Sequence, residues 1–210
     1  MDLQLKGRRA LVTGASKGIG RAIAEALAAE GCSVDIAGRS AETLGEAAAE
    51  IEERVPGADI RIHEADLSRT EDQEKLAKAC IDADILINNA GAAAAGSLDE
   101  TDIALWQESW ALKVFGYINL SRLFYTAMKE RGEGVIVNVI GHAGERLNAK
   151  YIIGTTGNAA LMAFTRSAGS QSPDYGVRIV GVNPAFTSTD RAENQLRTFA
   201  EAKAERDRAE

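Results

Sequence analysis

The run Ala10-Leu11-Val12-Thr13-Gly14-Ala15-Ser16-Lys17-Gly18-Ile19-Gly20 takes an apolar strand into a glycine-rich turn and then into a helix. Glycines let the backbone reach positive φ and approach a ligand closely, while the free N–H groups and positive dipole end of the following helix attract an anion. The chemistry suited to such a turn is phosphate binding. A spaced glycine triplet is weak evidence alone, and the context strengthens it. Ile19, Ala22, Ile23, Ala26 and Leu27 recur at helical spacing, the helix stops at Gly31, and a second strand runs from Ser33 to Ala37. Strand, glycine turn, amphipathic helix and strand form the βαβ unit of a dinucleotide-binding fold.

Charge then indicates which dinucleotide. A site selecting NAD places an acid at the end of the second strand for the ribose 2′-hydroxyl, whereas NADP needs cations for the 2′-phosphate. That position is Gly38, followed by Arg39, and Lys17 stands in the phosphate turn. Two cations can converge there, so NADP is expected in preference to NAD.

With Thr13, Gly14, Gly18 and Gly20 in the first turn, the chain resembles the classical short-chain dehydrogenase/reductase family. Further motifs follow in order: Asp66-Leu67 after a third strand, Asn88-Asn89-Ala90-Gly91 after a fourth strand over Ile85-Leu86-Ile87, Val135-Ile136-Val137-Asn138 on a fifth, Ala159-Ala160-Leu161 on a long helix, and Asn183-Pro184 after a sixth. The resemblance implies a single-domain α/β fold, a Rossmann-like doubly wound parallel sheet in three αβα layers. It also implies a cofactor site made from Gly14, Ser16, Lys17, Gly18, Ile19, Gly20, Arg39, Asp66, Leu67, Asn89, Ala90, Gly91, Pro184 and Thr189. Asp66 would lie by the adenine, Asn89-Ala90-Gly91 by the adenosine ribose, and Thr189 by the carboxamide.

The catalytic positions depart from that pattern. The family places a tyrosine thirteen residues after a serine and four before a lysine, with the lysine about twenty-six before the proline after the sixth strand. Counting back from Pro184 gives Asn158, Gly154 and Gly141. A fourth polar position, an asparagine in the family, is Lys113. Losing a positioned acid typically costs about 10²–10⁴ in rate, so a replacement donor is sought. Tyr151 is the candidate, with Lys113 bringing a cation from the facing helix. In a regular helix three residues give roughly 4.5 Å of rise and about 60° of offset, which misplaces Tyr151. Gly154 and Gly157 allow a late helix start or a bend that returns the ring. His142, next to Gly141, is expected in a loop or structural role, and His63 to pack near the adenine pocket.

Three functions stay open at this level: an NADP-dependent oxidoreductase of a small alcohol or carbonyl compound with a relocated proton donor; a catalytically silent nucleotide-binding sensor or partner subunit; and a non-redox enzyme using the same pocket. The 210 residues suit one domain, with 45% hydrophobic and 26% charged content, and the formal charge of −7 disfavours nucleic-acid partners. No apolar run reaches membrane-spanning length, and the first residues lack a signal-peptide core, so a cytoplasmic protein is expected. Cys32 and Cys80 suit buried thiols, and no His/Cys spacing suggests a metal. Residues 1–190 are expected to form the domain and 191–210 a substrate-loop or helical tail, with the family's last strand missing. The segments 102–130 and 155–172 correspond to the helices through which family members pair, so a homodimer or homotetramer is expected.

Overall fold

Strands β1 (Arg9–Thr13), β2 (Ser33–Gly38), β4 (Ile85–Asn88) and β5 (Gly134–Val139) are rich in Val, Ile, Leu and Ala and are largely buried. Such strands suit a parallel sheet covered on both faces. The structure, a computed structural model, describes residues 3–185 and Thr187. With β3 (Asp59–Glu64) and β6 (Val177–Val182), the strands form one parallel sheet in the order β3-β2-β1-β4-β5-β6. The direction of winding reverses between β1 and β4, and ligands of such sheets bind outside the carboxyl ends of the strands at that point. Thr189 and the tail 191–210 lie outside the described residues.

Alternation along each strand sends side chains to two cores. Ala10, Val12, Val34 and Ile36 meet Ala24 and Ala28 of α1 (Gly18–Ala29) and Leu44, Ala47 and Ile51 of α2 (Ala41–Arg54). Leu11, Leu86 and Ile136 meet Leu76 and Cys80 of α3 (Thr70–Cys80) and Leu120, Phe124 and Met128 of α5 (Tyr117–Arg131). A smaller cluster joins Val114 and Tyr117 to Ile140, Leu161 and Met162, which holds α6 (Ile152–Gln171) beside β5. The segment expected as one helix over 102–130 is α4 (Ile103–Trp110), a π-helical stretch Ala111–Gly116 containing Lys113, and then α5. No helix among the described residues is long and apolar enough to cross a membrane.

Two expectations are corrected here. First, α6 begins at Ile152, after Tyr151 but before Gly154 and Gly157, so Tyr151 is free of the helix, with the non-helical angles φ −137° and ψ 42°, without those glycines ending it. The cause is a long-range backbone pairing. Gly96 N donates to Lys150 O at 2.8 Å and Ile152 N to Gly96 O at 3.3 Å, which holds residue 151 paired alongside Gly96 and outside the helix.

Second, His63 does not simply pack near an adenine site. Its Nε2 lies 2.7 Å from Oδ1 of the fully buried Asp35, and Cys80 Sγ lies 3.5 Å from the same nitrogen. Asp35, His63 and Cys80 thus bring three metal-ligand types together, which sequence spacing did not show. The carboxylate is already engaged, however. Arg9 Nε approaches Oδ2 at 2.7 Å and Nη2 approaches Oδ1 at 3.0 Å, with Arg61 Nε 3.4 Å from Oδ1. Burial, with the Asp35 charge nearby, pushes the Cys80 thiol up to about 12. The group is an ion-pair cluster against the inner face of α3.

Burial alone would raise the Asp35 carboxyl, but the hydrogen bonds with His63 and Arg9 and the two guanidinium charges outweigh it and hold it at about 2, below the ordinary 3.8. A depressed carboxyl stabilises the fold above its ordinary value and loses that contribution as pH falls toward the folded value, here roughly 2 kcal/mol. Asp35→Asn is expected to lower stability by about 2–3 kcal/mol, because the charge held by Arg9, Arg61 and His63 is lost while Arg9 keeps its pairing with Asp82. It should also flatten the loss of stability between about pH 4 and pH 2. Denaturant titrations across that range check both. An unchanged acid limb would contradict the assignment.

Candidate active site

At the point where winding reverses, Thr13 ties two strand ends together. Its hydroxyl is buried, accepts from Asn89 N at 2.9 Å and Ala90 N at 3.0 Å, and donates to Ile87 O at 3.2 Å. Asn89 answers through Nδ2, which donates to Thr13 O at 2.9 Å and Gly14 O at 3.1 Å. Gly14 has φ 64°, and a Cβ there would stand 2.7 Å from Ala90 Cα, so only glycine lets the two turns meet. Thr13 is a functional residue that the candidate set omitted, although it stands in the motif that produced that set. Behind it, Asn88 Nδ2 donates to Asn138 Oδ1 at 2.9 Å and to Ser121 Oγ at 3.0 Å, and Asn138 Nδ2 donates to Thr165 Oγ1 at 2.9 Å. That buried chain links β4 and β5 to α5 and α6.

The start of α1 faces the same crevice. Ser40 caps α2 and Asp102 caps α4, but no side chain caps α1 at Lys17. The first N–H groups of α1 therefore stay available for an anion. Ser16, Gly18 and Ile19 are half-buried around this end and Gly20 is buried. Lys17 and Arg39 are exposed, and neither forms an ion pair among the described residues. Asp66, after β3, is lowered first by the hydrogen bond from Ser68 Oγ at 2.7 Å, with Arg39 adding to the effect. Leu67 is buried beside it. Pro184 O accepts from His142 N at 3.0 Å, which brings the end of β6 to the end of β5. His142 lies in a short 3₁₀ turn, as expected of a loop residue. All of the described cofactor candidates lie toward the carboxyl ends of parallel strands, on one edge of the sheet. They fit a phosphate-bearing dinucleotide.

Gly141 and Gly154, which stand where catalytic side chains were expected, leave space that other side chains fill. The Tyr151 ring occupies the place where a side chain at Gly154 would begin, and its hydroxyl lies 2.5 Å from the point a Cβ there would take. Because Tyr151 precedes the helix, the offset calculated for a regular helix does not apply. Lys113 lies across Gly91, with Cδ 2.5 Å from that residue's would-be Cβ. Its Nζ donates to Val139 O at 2.9 Å and to Tyr117 Oη at 3.1 Å, while Tyr117 Oη also donates to Val139 O at 2.9 Å. Tyr117 was not anticipated, though it stands four residues from Lys113, where helical side chains meet. Lys113 and Tyr151 are not joined by a direct hydrogen bond; the Tyr151 hydroxyl has no such partner among the described residues. Gly141, at φ 130°, turns the chain without a side chain at the end of β5.

Residues 8–199 match the family model for short chain dehydrogenase. The chain belongs to the short-chain dehydrogenase family. Galactitol 2-dehydrogenase (L-tagatose-forming) from Cereibacter sphaeroides is 33% identical over 192 residues, covering 89% of this chain and 74% of that protein. L-xylulose reductase from Bos taurus is 32% identical over 209 residues, covering 99% and 83%. The structure of L-sorbose reductase from Gluconobacter frateurii, complexed with NADPH and L-sorbose, superposes with a TM-score of 0.86 at 29% identity, covering 91% of this chain and 74% of that one. These short-chain dehydrogenase relatives are oxidoreductases of alcohol and carbonyl groups, and this chain is accordingly an oxidoreductase that takes a nicotinamide cofactor.

Thr13→Val keeps the shape of the side chain and strands two N–H groups, each costing about 1–3 kcal/mol when buried without a partner. The variant is expected to lose about 2–4 kcal/mol of stability and to bind NADPH more weakly, measured by denaturant unfolding and fluorescence titration. Wild-type values for both would show that Thr13 does not hold the two turns.

Proposed function

We propose that this short-chain dehydrogenase is an NADP-dependent oxidoreductase of a small alcohol or carbonyl compound, with Tyr151 supplying the proton and Lys113 the nearby positive charge. The observation that carries this reading is the Tyr151 ring lying over Gly154. The phenol is the nearest proton-bearing group to that space, and its oxygen makes no competing hydrogen bond among the described residues. When bound, the reduced cofactor would supply a hydride to a carbonyl carbon. The chain's own task is to hold the carbonyl and deliver a proton to its oxygen. Lys113, anchored on Val139 O two residues before Gly141, places an ammonium at the same end of β5. A cation there favours the phenolate left after proton transfer. Any assistance passes through space or water, since the two side chains do not bond directly.

The preference for NADP rests on Lys17 and Arg39 beside Gly38, with no carboxylate at that position for a 2′-hydroxyl. Thr189 is proposed at the carboxamide. Ketoses enter the substrate class because relatives are named for tagatose, xylulose and sorbose. Homodimers or homotetramers formed through the segments 102–130 and 155–172 complete the proposal, supported by the exposure of Ile103 and Phe115 on the first of these. A cytoplasmic site of action is part of the same reading.

The second reading, a silent nucleotide-binding subunit or sensor, draws on the missing Lys113–Tyr151 hydrogen bond and on Gly141, Gly154 and Asn158. Purified protein is expected to oxidise NADPH with a panel of ketoses and simple ketones above a heat-inactivated control. NADPH binding without oxidation would favour the silent reading. Given turnover, Tyr151→Phe is expected to lower kcat by about 10²–10⁴, leaving NADPH affinity nearly unchanged. An unaltered rate would remove Tyr151 from the chemistry. Arg39→Ala is expected to weaken NADPH about tenfold, the effect of one lost charge-assisted contact of ~1.4 kcal/mol, while sparing NADH. Equal losses for both cofactors would show that the 2′-phosphate is not read.

A further inference from the structure

Asn158 stands four residues after Gly154 on α6 and is only 5% exposed. Its side-chain amide makes no hydrogen bond among the described residues. Nδ2 lies 3.1 Å, and Oδ1 3.8 Å, from the point where a Cβ on Gly141 would stand. The amide therefore fills the space left by one catalytic-position glycine, as Tyr151 fills the space left by the other. The fully buried side-chain polar atoms without a partner among the described residues are Asn88 Oδ1 and Ser172 Oγ, so the Asn158 amide keeps a small opening through which an acceptor can reach it. Gly141 has no side chain to provide one and none of the other described residues does, which leaves the amide open to an acceptor on a bound ligand.

We infer that the Asn158 carboxamide donates a hydrogen bond to the oxygen of the substrate's carbonyl group. Positions 154 and 158 share one face of α6, about 5–6 Å apart at Cβ. The phenol over Gly154 and the amide against Gly141 thus present two donors side by side at the carboxyl end of β5. A carbonyl oxygen gains negative charge as its carbon is reduced, and donors fixed around it stabilise that charge without reorganising. The roles are distinct. The carbonyl carbon accepts a hydride and its electron pair from the reduced nicotinamide, the C=O π bond opens, and the oxygen takes the Tyr151 proton to give the alcohol. Asn158 keeps its protons throughout, and the phenolate recovers its proton from water. The inference rests on the carbonyl-reducing reading above.

The test is the ¹⁵N–¹H signal of the Asn158 side-chain amide, assigned in the full chain through its backbone resonances. Cyclohexanone is added to protein saturated with NADP⁺, a pairing that cannot transfer a hydride. The expected result is a downfield shift of the amide proton on adding cyclohexanone, with little change from NADP⁺ alone. A shift caused by NADP⁺ and unaltered by cyclohexanone would assign the amide to the cofactor and overturn the inference, as would a signal that neither ligand moves. In turnover, Asn158→Leu should lower kcat/KM for the carbonyl compound about 10²–10³-fold while NADPH affinity holds. An unchanged kcat/KM also overturns it. Loss of the Tyr151→Phe effect together with a cyclohexanone-dependent Asn158 shift would instead fault the proton-donor reading and leave Asn158 in place.

Discussion

The Thr13 hydroxyl, buried between β1 and β4 with three hydrogen bonds, is the interaction on which the site depends. It joins neighbouring strands whose crossovers leave in opposite directions, the place in such a sheet where ligands bind. By fixing Asn89 and Ala90 against Gly14 it sets how closely the two turns approach. It also sets where the uncapped end of α1 faces. From the same strand end the Asn88–Asn138–Thr165 chain carries the alignment across β5 to α6. A displacement at Thr13 would therefore move the start of α1 and the helix that carries Gly154 and Asn158 together.

Around that frame, loss of side chains creates room. Glycine at 154 admits the Tyr151 ring, and glycine at 141 admits the Asn158 amide. The pairing of Gly96 with residues 150–152 makes the first of these possible, since it keeps Tyr151 out of the helix before α6 begins. Trp110 Nε1 donates to Ile153 O at 3.3 Å and steadies the opening turn of that helix. Lys113 reaches the site from a π-helical stretch, a form of helix often found at functional positions. Gly141, Gly154 and Asn158 thus belong to one local packing.

Local features made much of this legible in the sequence. Apolar runs bounded by glycine gave the strands, because parallel strands covered on both faces cannot alternate with polar residues. The turn after β1 was legible because its backbone geometry demands glycine. Other features depend on residues far apart in sequence. Nothing in Tyr-Ile-Ile-Gly-Thr-Thr-Gly announces that α6 starts at Ile152, since the cause is Gly96. Asp35 read as an ordinary polar residue within a strand until β1 and β3 brought Arg9, Arg61 and His63 to it. Asn158 read as a lost lysine, because its buried, unpaired state appears only when β5 and α6 are set side by side.

The central claim is that the phenol of Tyr151 serves from the space over Gly154. Its most direct test is a crystal structure of the protein with NADP⁺ and an unreacting ketone. The Tyr151 hydroxyl is expected within about 2.6–3.2 Å of the ketone oxygen, directly or through one water. A ketone seated at the nicotinamide with the Tyr151 ring turned away from Gly154, and no water joining the two oxygens, would contradict the account.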